Sequence, residues 1–323
     1  VSAGGTKYHA AMRLSDRNNG DTAVEEEVGG HLTEGRTRRR RLGPVGVWPT
    51  ILTLGNLVAG FAAIHYAVKP VTTEAALGPW GWSSLTVAAS LVLLGIVLDA
   101  FDGAVARLTD SVTELGGQLD SFADVVTFGV APAFIMLNLL SQYLGSGEPI
   151  ISPDAGHTLG KLCWAIAAIY VCCAALRLAR FNVETASGRI GDYMQFRGLP
   201  TPGAAGAVVG LVLLHEHLEA LRQGAEHSTL GAIAVGIVLL VPLIVLLSAI
   251  MMVSRVPYPH IANKYLRGSR SFAYLVRVAA VLSLAIWWLQ ETLAIIFVLY
   301  VLSGPWRLVF SRRGDHRPLQ ETE

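Results

Sequence analysis

Charge is what this chain has least of. Asp, Glu, Lys and Arg make up 15% of its 323 residues, against about 25% in an ordinary soluble domain. Hydrophobic residues make up 52%, and the mean hydropathy is +0.49. No single soluble core absorbs that much apolar sequence, which excludes a soluble globular enzyme and points to a polytopic membrane protein. Cysteine is nearly absent as well. Cys163, Cys172 and Cys173 all sit in one apolar run at spacings that fit no metal-ligand pattern, and buried thiols behave as small hydrophobes. The nine histidines are scattered. His215, His217 and His227 crowd what reads as one outer loop, a solvated surface, with no cysteine or acid pattern to complete a zinc site. A secretory signal pattern is missing too, since the basic run lies too deep and no small-residue cleavage site follows an apolar region.

What charge there is lies unevenly. Residues 1–47 are rich in charge, Gly, Ser and Thr, lack apolar periodicity and end in Arg36, Arg38, Arg39, Arg40 and Arg41. They read as a disordered basic tail. An arginine cluster is able to bind nucleic acid. Standing immediately before an apolar span, this one is instead assigned to holding the tail on the cytoplasmic side against anionic lipid, with no nucleic-acid partner. Apolar runs near the length that crosses a ~30 Å hydrocarbon core begin at about Ile51, Ser84, Ser121, Leu159, Ala204, Leu230, Phe272 and Thr292. The expectation is an all-α bundle of about eight transmembrane helices over residues 48–310, with a cytoplasmic tail at 311–323. Phe272 to Val309 is too long for one crossing, so Gln290 and Glu291 mark a tight hairpin between the last two spans.

Starting the first span on the inside leaves only Lys69, Lys161 and Arg222 on outer ends and loops, and all other lysines and arginines fall on the inner side. That satisfies the positive-inside rule and puts both termini in the cytoplasm. Gly203, Gly206 and Gly210 give the span beginning near Ala204 a small-residue face suited to close helix packing.

Against this background, residues 98–129 place four carboxylates in an oily chain: Asp99, Asp102, Asp120 and Asp124. At ~100° per residue, Asp99, Asp102, Gly103 and Ala106 fall within roughly 60° of one helical direction. Gly116, Asp120 and Asp124 follow at i, i+4 and i+8 on a second face, and the short polar turn at 108–115 folds the two faces together. Four converging acids repel one another. A divalent cation with oxygen ligands is the usual remedy, and Mg²⁺ held by a few carboxylates plus substrate phosphates is its commonest enzymatic form. The expectation is a metal-assisted phosphoryl-transfer centre. An intramembrane ion or proton pathway also uses buried acids, but has no need of the interleaved Gly103, Ala106 and Gly116.

Asp99-x2-Asp102-Gly103-x2-Ala106-Arg107-x8-Gly116-x3-Asp120-x3-Asp124 resembles, at every defined position and gap, the signature of the CDP-alcohol phosphotransferase family. The resemblance implies a membrane enzyme that cleaves the pyrophosphate of CDP-diacylglycerol, transfers the phosphatidyl part to an alcohol and releases CMP. It implies Mg²⁺ or Mn²⁺ on Asp99, Asp102, Asp120 and Asp124, with Asp124 also serving as the base. Gly103, Ala106 and Gly116 then make room for the nucleotide, and Arg107 pairs with acid or phosphate. At the first span, Thr53 and Asn56 either bond helix backbone or, because Pro49-x3-Thr53 resembles the family's entry motif, line the nucleotide pocket; both readings stay open.

Arg177-Leu178-Ala179-Arg180-Phe181-Asn182, Phe196 to Pro202 and Met251 to Pro259 look like segments of the serine-accepting bacterial and archaeal members of that family. The likeness covers roughly Pro49 to Lys264 and implies L-serine as acceptor, a cytoplasm-facing site in a bacterial or archaeal membrane, and a homodimer. Arg177, Arg180 and Asn182 are its candidates for lipid phosphate or serine carboxylate, a planar guanidinium suiting either anion; the arginines equally suit snorkelling to lipid headgroups. Other acceptors, glycerol 3-phosphate or an inositol phosphate, share the acid motif. A transporter is the third reading.

Overall fold

The structure is a computed structural model, and it describes residues 47–69, 82–109, 113–144, 158–186, 198–224, 228–256, 258, 283 and 288–311. These fold as helices α1 (Val47–Val68), α2 (Ser84–Leu108), α3 (Glu114–Asp124), a π-helical segment (Val125–Val130), α4 (Ala131–Leu144), α5 (Thr158–Ala186), α6 (Thr201–Gly224), α7 (Ser228–Val253) and α8 (Leu289–Ser311). Among the described residues, seven helical stretches are long and apolar enough to cross a membrane, because α3, the π segment and α4 run on as one rod, Glu114–Tyr143. The expected spans are recovered within a few residues, except that this rod starts before the expected Ser121 and so carries Asp120 inside it. The expected span at Phe272, like the tail before Val47, lies outside the described residues.

Local chemistry sets the starts. The Ser83 hydroxyl caps α2 by accepting the Thr86 amide at 3.0 Å, and the Thr113 hydroxyl caps α3 by accepting that of Gly116 at 3.0 Å. Glu114 in the first turn of α3 complements the helix dipole. The π segment also has a cause in the sequence. Pro132 has no N–H to give the Phe128 carbonyl four residues back, and the buried Tyr170 hydroxyl of α5 donates to that oxygen instead at 2.9 Å.

Within its apolar window the Glu114–Tyr143 rod is 78% buried by the rest of the molecule, against 17% for α8. The acid-bearing rod is therefore the axis of the bundle and α8 lies at its rim. Two glycines let α1 and α2 close on that axis. A methyl group at Gly60 would overlap Thr127, reaching within 2.8 Å of its Cα, and one at Gly95 would lie 2.5 Å from Thr127 Cγ2. Only glycine fits such approaches. The Thr127 hydroxyl donates to the Asn56 carbonyl at 2.9 Å across the same junction.

The glycine face of α6 is filled from within the chain. Methyl groups at Gly203 and Gly210 would meet the Tyr300 ring at 2.7 Å and the Ala294 backbone at 3.1 Å, and one at Gly206 would overlap Phe297. All three neighbours belong to α8, so this stripe serves an intramolecular contact.

From α1 to α7 the helices alternate in direction, the α3–π–α4 rod counting as one, and α8 runs antiparallel to α6 and so parallel to α7. This gives the bundle two distinct ends. Thr53 near the start of α1 meets Asp102 near the end of α2. Ser121 in α3 meets Asn182 near the end of α5, and the entry to α6 is tied to the end of α7 by Gly198 N–H to Val256 O at 2.9 Å and Leu199 N–H to Met251 O at 3.0 Å. Gly198 there has φ 96°, a left-handed conformation that glycine adopts without strain. The opposite end holds Ser83, Tyr143, Glu216, Glu219 and Glu291. α1 starts and α8 finishes at the aspartate end. One expectation is corrected here. His215 and His217 belong to α6, and His215 is 1% exposed rather than solvated, its Nε2 paired with the Tyr143 hydroxyl at 2.7 Å. His227 lies outside the described residues.

Candidate active site

At the aspartate end, α2 and the central rod bring the acids together. One carboxylate oxygen from each of Asp99, Asp120 and Asp124 lies within 4.8 Å of the others. If all were ionised, each pair would repel by roughly 3–4 kcal/mol at an effective dielectric of ~20. Protonation of the acids or a bound cation relieves that cost. The donor set is all carboxylate oxygen, the ligand type that suits Mg²⁺ and Mn²⁺, and contains none of the imidazole or thiolate that zinc favours. Asp120 Oδ1 is buried with no hydrogen-bond partner, a lone pair left for a ligand the protein does not supply. The residues fit a divalent ion.

Asp102 is placed differently. It is buried, and its Oδ2 accepts from the Thr53 hydroxyl at 2.8 Å. The same hydroxyl lies 3.0 Å from the Pro49 carbonyl one turn back. With one proton to give, it favours the shorter contact to the charged acceptor. Thr53 thus spends its proton on the acid group, with the helix backbone as the longer alternative contact.

Asn56 is the residue that sequence reasoning undervalued. Fully buried on α1, it donates from Nδ2 to Asp124 Oδ1 at 3.3 Å, while its own Oδ1 has no partner and sits close against Gly95. An orphaned buried amide oxygen costs about 1–3 kcal/mol, and it is tolerated where the amide's donors hold a carboxylate. Its position three residues after Thr53, on the same helical face, was the available signal.

The remaining expected residues divide. Gly103 and Ala106 are half-buried on α2 in phase with Asp99. Arg107 lies in the last turn of α2, and its side chain is outside the described residues. Gly116 has a local role, since a methyl there would lie 2.9 Å from the capping Thr113 hydroxyl. Arg177 is half-buried, donates from Nη1 to Thr201 Oγ1 at 3.0 Å, and lies in electrostatic reach of Asp124 and Asp99. Arg180 departs from its partner arginine. Its side chain is 40% exposed and paired with Glu184 at 2.7 Å. Asn182 accepts from the Ser121 hydroxyl at 3.1 Å, fastening α5 beside Asp120.

Carboxylates in an ion-sized group, beside a guanidinium at one end of a membrane bundle, suit the handling of phosphate esters at a lipid surface. Comparison with known proteins agrees. Over 269 residues the chain is 29% identical to a protein of Helicobacter pylori strain J99 named CDP-diacylglycerol--serine O-phosphatidyltransferase, covering 83% of this chain and 94% of that one. Proteins of the same name from Methanocaldococcus jannaschii (31% over 227 residues, 70% and 85% covered) and Bacillus subtilis strain 168 (33% over 161 residues, 50% and 72% covered) are also similar. The family model described as CDP-alcohol phosphatidyltransferase matches residues 47–255, a span that takes in all four aspartates, Thr53 and Arg177. The chain belongs to the CDP-alcohol phosphatidyltransferase family.

Proposed function

We propose that this membrane transferase uses L-serine as its acceptor, converting CDP-diacylglycerol and serine to phosphatidylserine and CMP. The observation that carries the reading is the half-buried Arg177 guanidinium beside Asp99 and Asp124. An anionic acceptor suits such a group and a neutral alcohol does not need it; the guanidinium fits the carboxylate of serine as it fits a phosphate. The names of the three similar proteins point the same way.

In the proposed step the serine hydroxyl oxygen forms a bond to the phosphatidyl phosphorus, and the bond from that phosphorus to the CMP oxygen breaks. Asp99, Asp102 and Asp120 hold one or two Mg²⁺ or Mn²⁺ ions, and Asp124 adds a contact. Bound there, such an ion neutralises charge on the pyrophosphate and on the departing CMP. Asp124 takes the serine proton as the new bond forms, because an aliphatic hydroxyl is a poor nucleophile at neutral pH. Asn56 holds one oxygen of that carboxylate and leaves the other for the proton. Thr53 keeps Asp102 turned toward the group. Arg177 pairs with the serine carboxylate and so brings the hydroxyl toward Asp124; such positioning of two reactants supplies a large part of many catalysed rates.

The aspartate end faces the cytoplasm in this reading. Arg107, Arg177, Arg180, Arg255 and Arg307 gather toward that end, and Lys69, Lys161 and Arg222 toward the other, as the positive-inside rule requires.

The test is product identification with competing acceptors. Purified protein in detergent, supplied with CDP-diacylglycerol, Mg²⁺ or Mn²⁺ and an equimolar mixture of L-serine, glycerol 3-phosphate and inositol phosphate, is expected to make phosphatidylserine. A different phospholipid as the main product would keep the family and overturn the acceptor.

A further inference from the structure

The family match ends at residue 255, yet α8 lies beyond it and packs along the glycine face of α6. That packing sets the Tyr300 ring on Gly203, two residues after Thr201, and Thr201 Oγ1 is the group that holds Arg177 Nη1. The tyrosine ring and the guanidinium therefore converge on the first turn of α6, within electrostatic reach of each other. Tyr300 is itself fixed from behind. Its ring lies against that of Tyr258 with centroids 5.5 Å apart, and the Tyr258 hydroxyl donates to the Val301 carbonyl at 3.1 Å. The Tyr300 hydroxyl, by contrast, makes no hydrogen bond among the described residues, and the residue is only half-buried. A rigidly held phenol with an unspent donor, beside an arginine that has given one of its five N–H groups to Thr201, makes a two-armed receptor for a planar anion.

We propose that Tyr300 is an acceptor-specificity residue, its hydroxyl and the Arg177 guanidinium together holding the carboxylate of the amino-acid acceptor. The proposal rests on the serine reading above and deepens it. It assigns selectivity for a carboxylate to a helix outside the matched family segment, so the acid group runs the shared chemistry while α8 helps choose the alcohol. Removing the hydroxyl leaves ring packing on Gly203 intact and deletes one hydrogen bond to a charged group, a loss that lowers apparent acceptor affinity roughly tenfold.

The experiment compares wild type with Tyr300→Phe in detergent with CDP-diacylglycerol and Mg²⁺, measuring KM and kcat for each substrate. L-serine and serinol, which lacks the carboxylate, are the two acceptors. The expected result is a roughly tenfold rise in the KM for L-serine. The KM for CDP-diacylglycerol and the KM for serinol should stay unchanged, so that the preference for serine over serinol collapses. An unchanged serine KM, or equal rises for both acceptors and for CDP-diacylglycerol, would overturn the proposal by reducing Tyr300 to packing. Thermal melting of both proteins accompanies the kinetics, and Arg177→Lys serves as a second variant that should show the same selective loss for serine. If wild type makes no phosphatidylserine while transferring to another alcohol, the acceptor reading itself fails and the role of Tyr300 falls with it. Wild type using serine with Tyr300→Phe unaltered condemns the role of Tyr300 alone.

Discussion

Two of the acids are held by a named neighbour, Asp102 by Thr53 and Asp124 by Asn56, and that is where the account is most exposed to experiment. Thr53→Val keeps the shape of the side chain and removes the hydrogen bond to Asp102. A bond to a charged acceptor contributes about 1.5–3 kcal/mol, so CMP release should fall about tenfold or more in kcat/KM. Wild-type turnover in this variant would mean that the Thr53 contact serves only the helix backbone. Arg177 and Arg180 make a sharper contrast, because spacing alone treats them alike. Arg180→Ala removes an exposed i,i+4 pair with Glu184, and such pairs contribute little; activity should stay within about twofold of wild type. Arg177→Ala should lose far more, chiefly in the KM for the acceptor, and equal effects from the two substitutions would contradict the assignment of their surroundings. The aspartates were legible in the sequence because helical periodicity and a charge-poor background isolate them. Asn56 and Arg180 were not. An amide finds partners in its own helix or across the bundle, and the i,i+4 spacing of Arg180 and Glu184 does not say whether the guanidinium turns to that neighbour or to a bound anion.

At the scale of helices, glycine decides how close the walls come to the axial rod. Gly60→Ala puts a methyl group into Thr127, whose Cα would stand 2.8 Å away. Backbone cannot swing aside as a side-chain tip does, so the cost is that of overpacking, about 1–3 kcal/mol. The variant should melt earlier in detergent and lose activity with stability, because Asn56 and Asp124 are set by the same junction. An unshifted melting curve would show that α1 does not press on the π segment. Hydropathy gave the helices their approximate places, yet the boundary of the third span was read seven residues late. Its first turns carry Asp120 and no apolar run, and what starts them is the Thr113 cap. The π segment had a trace in Pro132, but no periodicity announces a carbonyl satisfied by a tyrosine from another helix. The glycine stripe of α6 was recognised as a packing face, and its partner was beyond reach because α8 is distant in sequence.

For the whole molecule, the Thr53 contact with Asp102 and the antiparallel packing of α8 on α6 place the first residues of α1 and the last of α8 at the aspartate end. In the function proposed above, that end faces the cytoplasm. Single cysteines introduced at residues 46 and 312 of an otherwise cysteine-free protein should therefore be reached by a membrane-impermeant thiol reagent only after the membrane is opened. A cysteine at residue 226 should react in intact cells. Reaction of the first two on opposite sides would contradict the shared end, and reaction of both from outside would invert the orientation.

The claim on which the rest depends is that the aspartates of α2 and the axial rod form a divalent-ion centre for phosphatidyl transfer. Release of CMP from CDP-diacylglycerol by purified protein, with L-serine present, measures it most directly when run in excess chelator and again after Mg²⁺ or Mn²⁺ is restored. The account predicts no CMP in chelator, recovery on adding back either ion, and no recovery in Asp99→Asn, which deletes a ligand at constant size. Undiminished CMP release in excess chelator would contradict it.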